Sequence, residues 1–92
     1  ISYDPAKNAR NIELRGLLFD LVAEMDWPSA QIVEDKRKDY IERRYRVTGY
    51  IEDRLHVAVF TPRHGAIRVI SFRKANAREV TEYGQAAKTR RS

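Results

Sequence analysis

Apolar residues recur along this chain in two periods, first every three to four positions and then, from about residue 40, every second position. Asp4-Pro5 reads as a helix N-cap followed by proline at the first helical position. Ala9, Ile12 and Leu14 among Lys7, Arg10 and Glu13 predict a first helix that Arg15-Gly16 closes. Leu17, Leu18, Phe19, Leu21, Val22 and Met25 then form a denser apolar surface at helical spacing, which predicts a second, more buried helix ended by Trp27-Pro28. Ser29 to Val33 stays open between a brief edge strand and a turn.

From Tyr40 to Tyr50 the β-branched and aromatic residues Ile41, Tyr45, Val47, Thr48 and Tyr50 interleave with Glu42, Arg43, Arg44 and Arg46, which predicts a half-buried antiparallel strand. Glu52-Asp53-Arg54 reads as a turn, Leu55 to Thr61 as a central strand, Pro62-Arg63-His64-Gly65 as a loop and Ala66 to Arg73 as a further strand of the same meander. Asn76 is the expected cap of a last helix reaching about Lys88, with Ala77, Val80, Tyr83 and Ala87 near one face. Phe19, Trp27, Phe60 and Phe72 are expected in the core. The expected fold is α+β: two N-terminal helices, an antiparallel three- to four-stranded sheet and a C-terminal helix. At 92 residues, one domain over residues 1–92 around one modest core is expected.

Charge changes the picture. The chain carries 18 lysines and arginines against 13 acidic residues, a formal +5, with a pI near 9.8, and such an excess favours polyanions or acidic proteins as partners. Lys36, Arg37, Lys38, Arg43, Arg44 and Arg46 face only Asp39 and Glu42 within residues 36–46, and Lys88, Arg90 and Arg91 close the chain. With no cysteine, disulfides, thiolate catalysis and cysteine zinc sites are excluded. No apolar run approaches the roughly 20 residues that cross a bilayer, and Ile1-Ser2-Tyr3 has no basic or apolar leader before it. A soluble, cytoplasmic protein with no membrane partner is expected.

No phosphate-binding glycine loop, dinucleotide turn or H-E-x-x-H helix is present, which removes the usual warrants for nucleotide hydrolysis, dinucleotide binding and zinc proteolysis. His56 and His64 have no third ligand beside them, so no metal or other cofactor is expected, and His64 keeps a reading as proton donor or base. Arginines along β-branched runs point to an open basic face. Cleaving RNA with its own 2′-hydroxyl needs a base, an acid and fixed cations around the phosphorane. Arg44, Arg63, Arg68 and Arg73 on neighbouring strands are candidates for those cations. The competing reading is a solvated sheet face with ion pairs to Glu42, Glu52 or Glu79. Tyr40, Tyr45 and Tyr50 read either as base-stacking platforms or as core.

In order and spacing these residues resemble the BrnT family of type II toxin-antitoxin systems, which have a RelE-like ribonuclease fold. The resemblance rests on Tyr3-Asp4-Pro5, Lys7, Asn11, Gly16 and Phe19 near the start and on Arg44-Tyr45, Gly49, Thr61 and Arg63 in the sheet. It continues through Arg68, Ile70-Ser71, Arg73-Lys74-Ala75, Glu79 and Tyr83. It implies a metal-independent endoribonuclease toxin that lowers translation. The implied partners are RNA, the ribosome as a further contact, and a BrnA-like antitoxin with a ribbon-helix-helix part, through which alone DNA is reached. Carried over by position, Arg44, Arg63, Arg73, Glu42 and His64 become the candidates for chemistry. Arg68, Arg15, Lys74, Tyr45 and Tyr83 become the candidates for holding substrate, with Glu79 in support. One departure stands out: a basic-His-Gly run closes the first helix in the family, and here Leu14-Arg15-Gly16 does. Arginine cannot move a proton at neutral pH, so Arg15 is left to hold phosphate and His64 to compensate. Two other functions stay open, a non-catalytic RNA- or ribosome-binding module and a protein whose basic face docks an acidic subunit.

Overall fold

In a computed structural model of the chain, which describes residues 1–39 and 41–91 and side chains as far as residue 86, Asp4 accepts from the Ala6 N–H at 2.9 Å. That bond caps helix α1 (Pro5–Arg15). Gly16 closes it at φ 69, donating to the Ile12 carbonyl at 2.8 Å. Of α1's residues only Asn11 is buried, so this helix is held by amides more than by an apolar face. Asn11 donates to the Leu17 carbonyl at 3.0 Å, and Asn8 accepts from the Phe19 N–H at 2.8 Å.

The predicted second helix is instead a 3₁₀ segment, Phe19–Glu24, followed by a 3₁₀ turn at Trp27–Ser29. The reason lies in the spacing of the residues that are buried: Phe19, Val22 and Met25 are three apart, the period of a 3₁₀ helix. The segment is fastened to the sheet where the Asp26 N–H donates to the Tyr50 carbonyl at 2.8 Å.

The sheet has five strands rather than three or four: β1 (Ser2–Tyr3), β2 (Gln31–Glu34), β3 (Tyr45–Ile51), β4 (Arg54–Arg63) and β5 (Ala66–Lys74), in the order β1-β5-β4-β3-β2. β1 pairs parallel to β5 and every other pairing is antiparallel. β2 is the edge strand that Ser29 to Val33 left open against a turn, and β1, the other edge, is too brief to show a period in the sequence. The strand predicted from Tyr40 begins only at Tyr45; Tyr40 itself lies outside the described residues, as do the side chains of Lys88, Arg90 and Arg91. Pro62 and Arg63 belong to β4, and the turn that follows is only His64-Gly65, both at positive φ (52 and 76).

The layout of the two sheet faces depends on one irregularity. Val59 pairs with Ser71 and the next β4 residue, Phe60, pairs with Val69, so Ile70 is an extra residue in β5. Val69 and Phe72, three apart, therefore both face the core. Arg68 and Arg73, five apart, both face the other way. The core side packs Leu17, Phe19, Val22 and Met25 onto Val47, Ala58, Phe60, Val69 and Phe72. On the opposite face helix α2 (Ala77–Arg91) covers only one end, where Leu55, Val57 and Ala75 meet Tyr50 and Tyr83. Asn76 and Glu79 form a capping box at the start of α2: Asn76 Oδ1 accepts from the Glu79 N–H and Glu79 Oε1 accepts from the Asn76 N–H, each at 2.9 Å. No helix among the described residues is long and apolar enough to cross a membrane.

Gly49 shows how tightly the 3₁₀ segment sits on the sheet, since a Cβ there would meet Met25 Sδ at 2.8 Å and Met25 Cγ at 2.9 Å. Gly49→Ala should therefore cost about 1–3 kcal/mol of stability, the usual penalty for an overfilled core. Urea unfolding monitored by tryptophan fluorescence will check this; an unchanged midpoint would mean that the contact is looser than described.

Candidate nucleic-acid interface

The part of the sheet that α2 leaves uncovered carries Arg46 from β3, Val59, Thr61 and Arg63 from β4, and Arg68, Ser71 and Arg73 from β5, as the register dictates. Residues 35–39 and 41–44 lie over one end of it. The Asp35 N–H donates to the Arg44 carbonyl at 2.7 Å and the Thr61 hydroxyl donates to the Arg43 carbonyl at 2.7 Å. Those bonds draw Glu42 and Arg44 against the ends of β4 and β5. The result is a cleft of about 480 Å³ lined by Lys7, Asp39, Ile41, Glu42, Arg44, Thr61, Arg63, Arg68 and Ile70.

Within it Arg63 donates to Glu42 Oε1 at 2.6 Å, and the Thr61 hydroxyl lies 3.3 Å from Oε2. The Arg63 hydrogen bond, its charge, the Thr61 hydroxyl and the Arg68 charge together hold the Glu42 carboxyl below its usual range. Glu42 is thus ionised at neutral pH, able to orient Arg63 and to accept a proton but not to donate one. Lys7, Arg44 and Arg68 surround this pair with three further cations.

Of the predicted site residues, Glu42, Arg44, Arg63 and Arg68 come together in this cleft. Arg73 lies on the same face further along β5, where it donates to both oxygens of Glu79 at 2.6 and 2.8 Å. These bonds from Arg73, with help from the Asn76 N–H and the charges of Arg73 and Arg46, bring the Glu79 carboxyl down to about 2. Arg15 and Lys74 share a hollow with Arg73 and Leu17. Tyr83 is half-buried and donates its hydroxyl to the Ser29 carbonyl at 2.7 Å. Tyr45 faces the core side, its ring stacked on Phe60 at 5.8 Å, and Tyr50 meets the Tyr83 ring edge-on at 5.5 Å. His64 is exposed at the tip of the β4–β5 turn and is not among the residues lining the cleft. His56 is buried on the core side against Phe72, and burial lowers its pKa, so it is neutral at pH 7.

Lys7 and Ile41 line the cleft without having been singled out as site residues from the sequence. Lys7 sits on a helix that periodicity alone could not orient, and Ile41 read as part of a strand. Arg46 shared the alternation of its neighbours and could have been placed on the open face from Thr48 and Tyr50 alone.

The Arg73–Glu79 contact should make stability depend on pH. A carboxyl depressed in the folded state adds stability above its unfolded pKa near 4.5 and loses it as pH falls towards about 2. Glu79→Ala should cost about 1–2 kcal/mol near neutral pH, combining a lost cap with a half-exposed ion pair. In thermal melts the gap to the unsubstituted chain should narrow steadily below about pH 4.5. A gap that stays constant down to pH 2 would show that the carboxylate's charge contributes nothing.

The ordered set of residues behind this face matches a known pattern. The sequence model of one family, the ribonuclease toxin BrnT of type II toxin-antitoxin systems, matches residues 3–79. That span contains α1, the 3₁₀ segment, the whole sheet and the capping box of α2. Neither the curated proteins nor the solved structures contain a significant match to the chain. With a cleft of cations on the sheet and a family match over most of its length, the chain belongs to the BrnT family of ribonuclease toxins, which implies a cognate antitoxin as its partner.

Proposed function

We propose that this toxin is a metal-independent endoribonuclease that cleaves RNA through the 2′-hydroxyl and so lowers translation in the cytoplasm. The observation that carries the reading is the cleft itself, where Lys7, Arg44, Arg63 and Arg68 converge around the ionised Glu42 carboxylate, with Asp39 also in the lining. The positive charge that the lining itself offers a phosphate is that of guanidinium and ammonium groups.

The 2′-oxygen attacks the adjacent phosphorus while its proton leaves, the bond to the departing 5′-oxygen breaks, and that oxygen takes up a proton. The products are a 2′,3′-cyclic phosphate and a 5′-hydroxyl. Charge accumulates on the non-bridging oxygens as the phosphorane forms, and Arg44 and Arg68 are suited to meet it, since fixed cations in a preformed site stabilise that charge with little reorganisation. Glu42 holds Arg63 in place and is the nearest acceptor for the 2′-proton. His64, one residue beyond Arg63 on an exposed turn, is the candidate donor to the leaving oxygen, with Tyr83 and Arg73 further along the face. The antitoxin, of the BrnA-like type with a ribbon-helix-helix part, would silence the toxin by covering the basic face, and contact with DNA would run through it.

The lining of the cleft includes no histidine, and that favours a second reading, a non-catalytic module that binds RNA or the ribosome. Labelled RNA incubated in EDTA separates the two. Cleavage by the unsubstituted toxin, reduced roughly a hundred- to a thousandfold by Arg68→Ala with the fold intact by circular dichroism, is the expected result. Arg68 is a better probe than Arg73, whose loss would also disturb the start of α2. RNA that is bound in a salt-dependent way but stays intact, with and without ribosomes, would replace the ribonuclease reading by the binding module.

A further inference from the structure

A second group of cations lies outside the cleft. At the edge of β5 beyond the end of the two-residue β1, Arg15, Arg73 and Lys74 surround a hollow of about 270 Å³ floored by Leu17. No carboxylate is among the lining residues. Arg73 is shared with Glu79, whereas Arg15 and Lys74 are exposed with their charges turned to solvent. An apolar floor beneath a rim of cations suits a sugar-phosphate unit better than an isolated anion, because the sugar covers Leu17 while the phosphate meets the rim.

Two separate elements join this hollow to the cleft, and both set the same spacing. On β5 the cleft is marked by Arg68 and the hollow by Arg73, and four to five strand steps put them about 13–16 Å apart. On α1 the cleft is marked by Lys7 and the hollow by Arg15, and eight helical steps put them about 12 Å apart. The bulge at Ile70 turns Arg68 and Arg73 to one face, while Lys74 alternates to the other, so the hollow wraps the β5 edge and Arg73 links it to the face that carries the cleft.

Resting on the ribonuclease reading above, we propose that the hollow of Arg15, Arg73 and Lys74 is a second phosphate subsite, which holds the RNA backbone a few nucleotides away from the bond being cleaved. A backbone stacked as in a duplex advances about 3.4 Å per nucleotide, and an unstacked one roughly twice that. The occupied phosphates are thus separated by about two to five nucleotides. The toxin therefore grips a single strand along β5 and discriminates by length before it discriminates by sequence.

The test uses non-cleavable 2′-O-methyl RNAs of about three and about ten nucleotides, with affinity read by fluorescence anisotropy over a salt series. The longer RNA should bind the unsubstituted chain more tightly. Arg15→Ala combined with Lys74→Ala should shrink that length advantage about tenfold and flatten the salt dependence by about one in log-log slope, as expected for one or two lost phosphate contacts to a single strand. Arg15→Lys with Lys74→Arg should keep most of both. An undiminished length advantage in the double alanine variant overturns the subsite, as does a loss confined to capture of an acidic peptide, which would assign the hollow to a protein partner. Because these RNAs cannot be cleaved, the result stands whether or not the ribonuclease reading does. Intact RNA in EDTA removes the reaction; a lost length advantage still establishes the subsite.

Discussion

Because Ile70 is an extra residue opposite the step from Val59 to Phe60, Val69 and Phe72 both enter the core although they are three apart, and Arg68 and Arg73 both leave it although they are five apart. A regular strand could satisfy neither pair, because residues an odd number of positions apart point to opposite faces. Burying Val69 and Phe72 together removes two large apolar side chains from water, worth about 1.5–3 kcal/mol each, and the bulge is the local irregularity that allows it. The two arginines then emerge on the same side as a consequence of core packing. The basic face is in this sense the reverse side of the hydrophobic core, and α2, which covers only one end of it, leaves the rest open.

The carboxylates on that face do not neutralise it so much as fix it. Glu42 holds Arg63 at one end of β4, and Glu79 holds Arg73 at the start of α2 while also capping that helix. Each is pulled towards its ionised form by the arginine it holds. An arginine whose fork is already oriented loses less side-chain freedom when a phosphate arrives, which is the benefit of arranging charge before the ligand binds. Arg44 and Arg68, the second of them turned outward by the bulge, add two further cations to that face.

Much of the fold could be read from the residues. The Asp4-Pro5 start, the glycine stop at Gly16 and the Asn76 cap are local signals, and each appears where the side chains imply it. The 3₁₀ segment escaped because Phe19, Val22 and Met25 fit a spacing of three as well as the longer helical period, and only the docking onto the sheet decides between them. β1 escaped because two residues carry no period, and the four residues of β2 were too few to decide between the edge strand and the turn that Ser29 to Val33 left open. The site was legible in its residue types and less so in its grouping: Glu42, Arg44, Arg63 and Arg68 converge, but their convergence depends on hydrogen bonds from Asp35 and Thr61 to the backbone of a loop that read as strand. The bulge left one faint trace in the sequence, the adjacent apolar pair Val69-Ile70 that breaks the alternation between Arg68 and Arg73.

The central claim is that RNA meets the face bearing Arg68 and Arg73, and amide chemical-shift mapping with a non-cleavable single-stranded RNA tests it most directly. The account predicts that the amides of Thr61, Arg68, Ser71 and Arg73 shift together with those around Glu42 and Arg44, while Ile51, Glu52 and His56 on the core side stay in place. Shifts centred on the core side, with β5 unmoved, would contradict it.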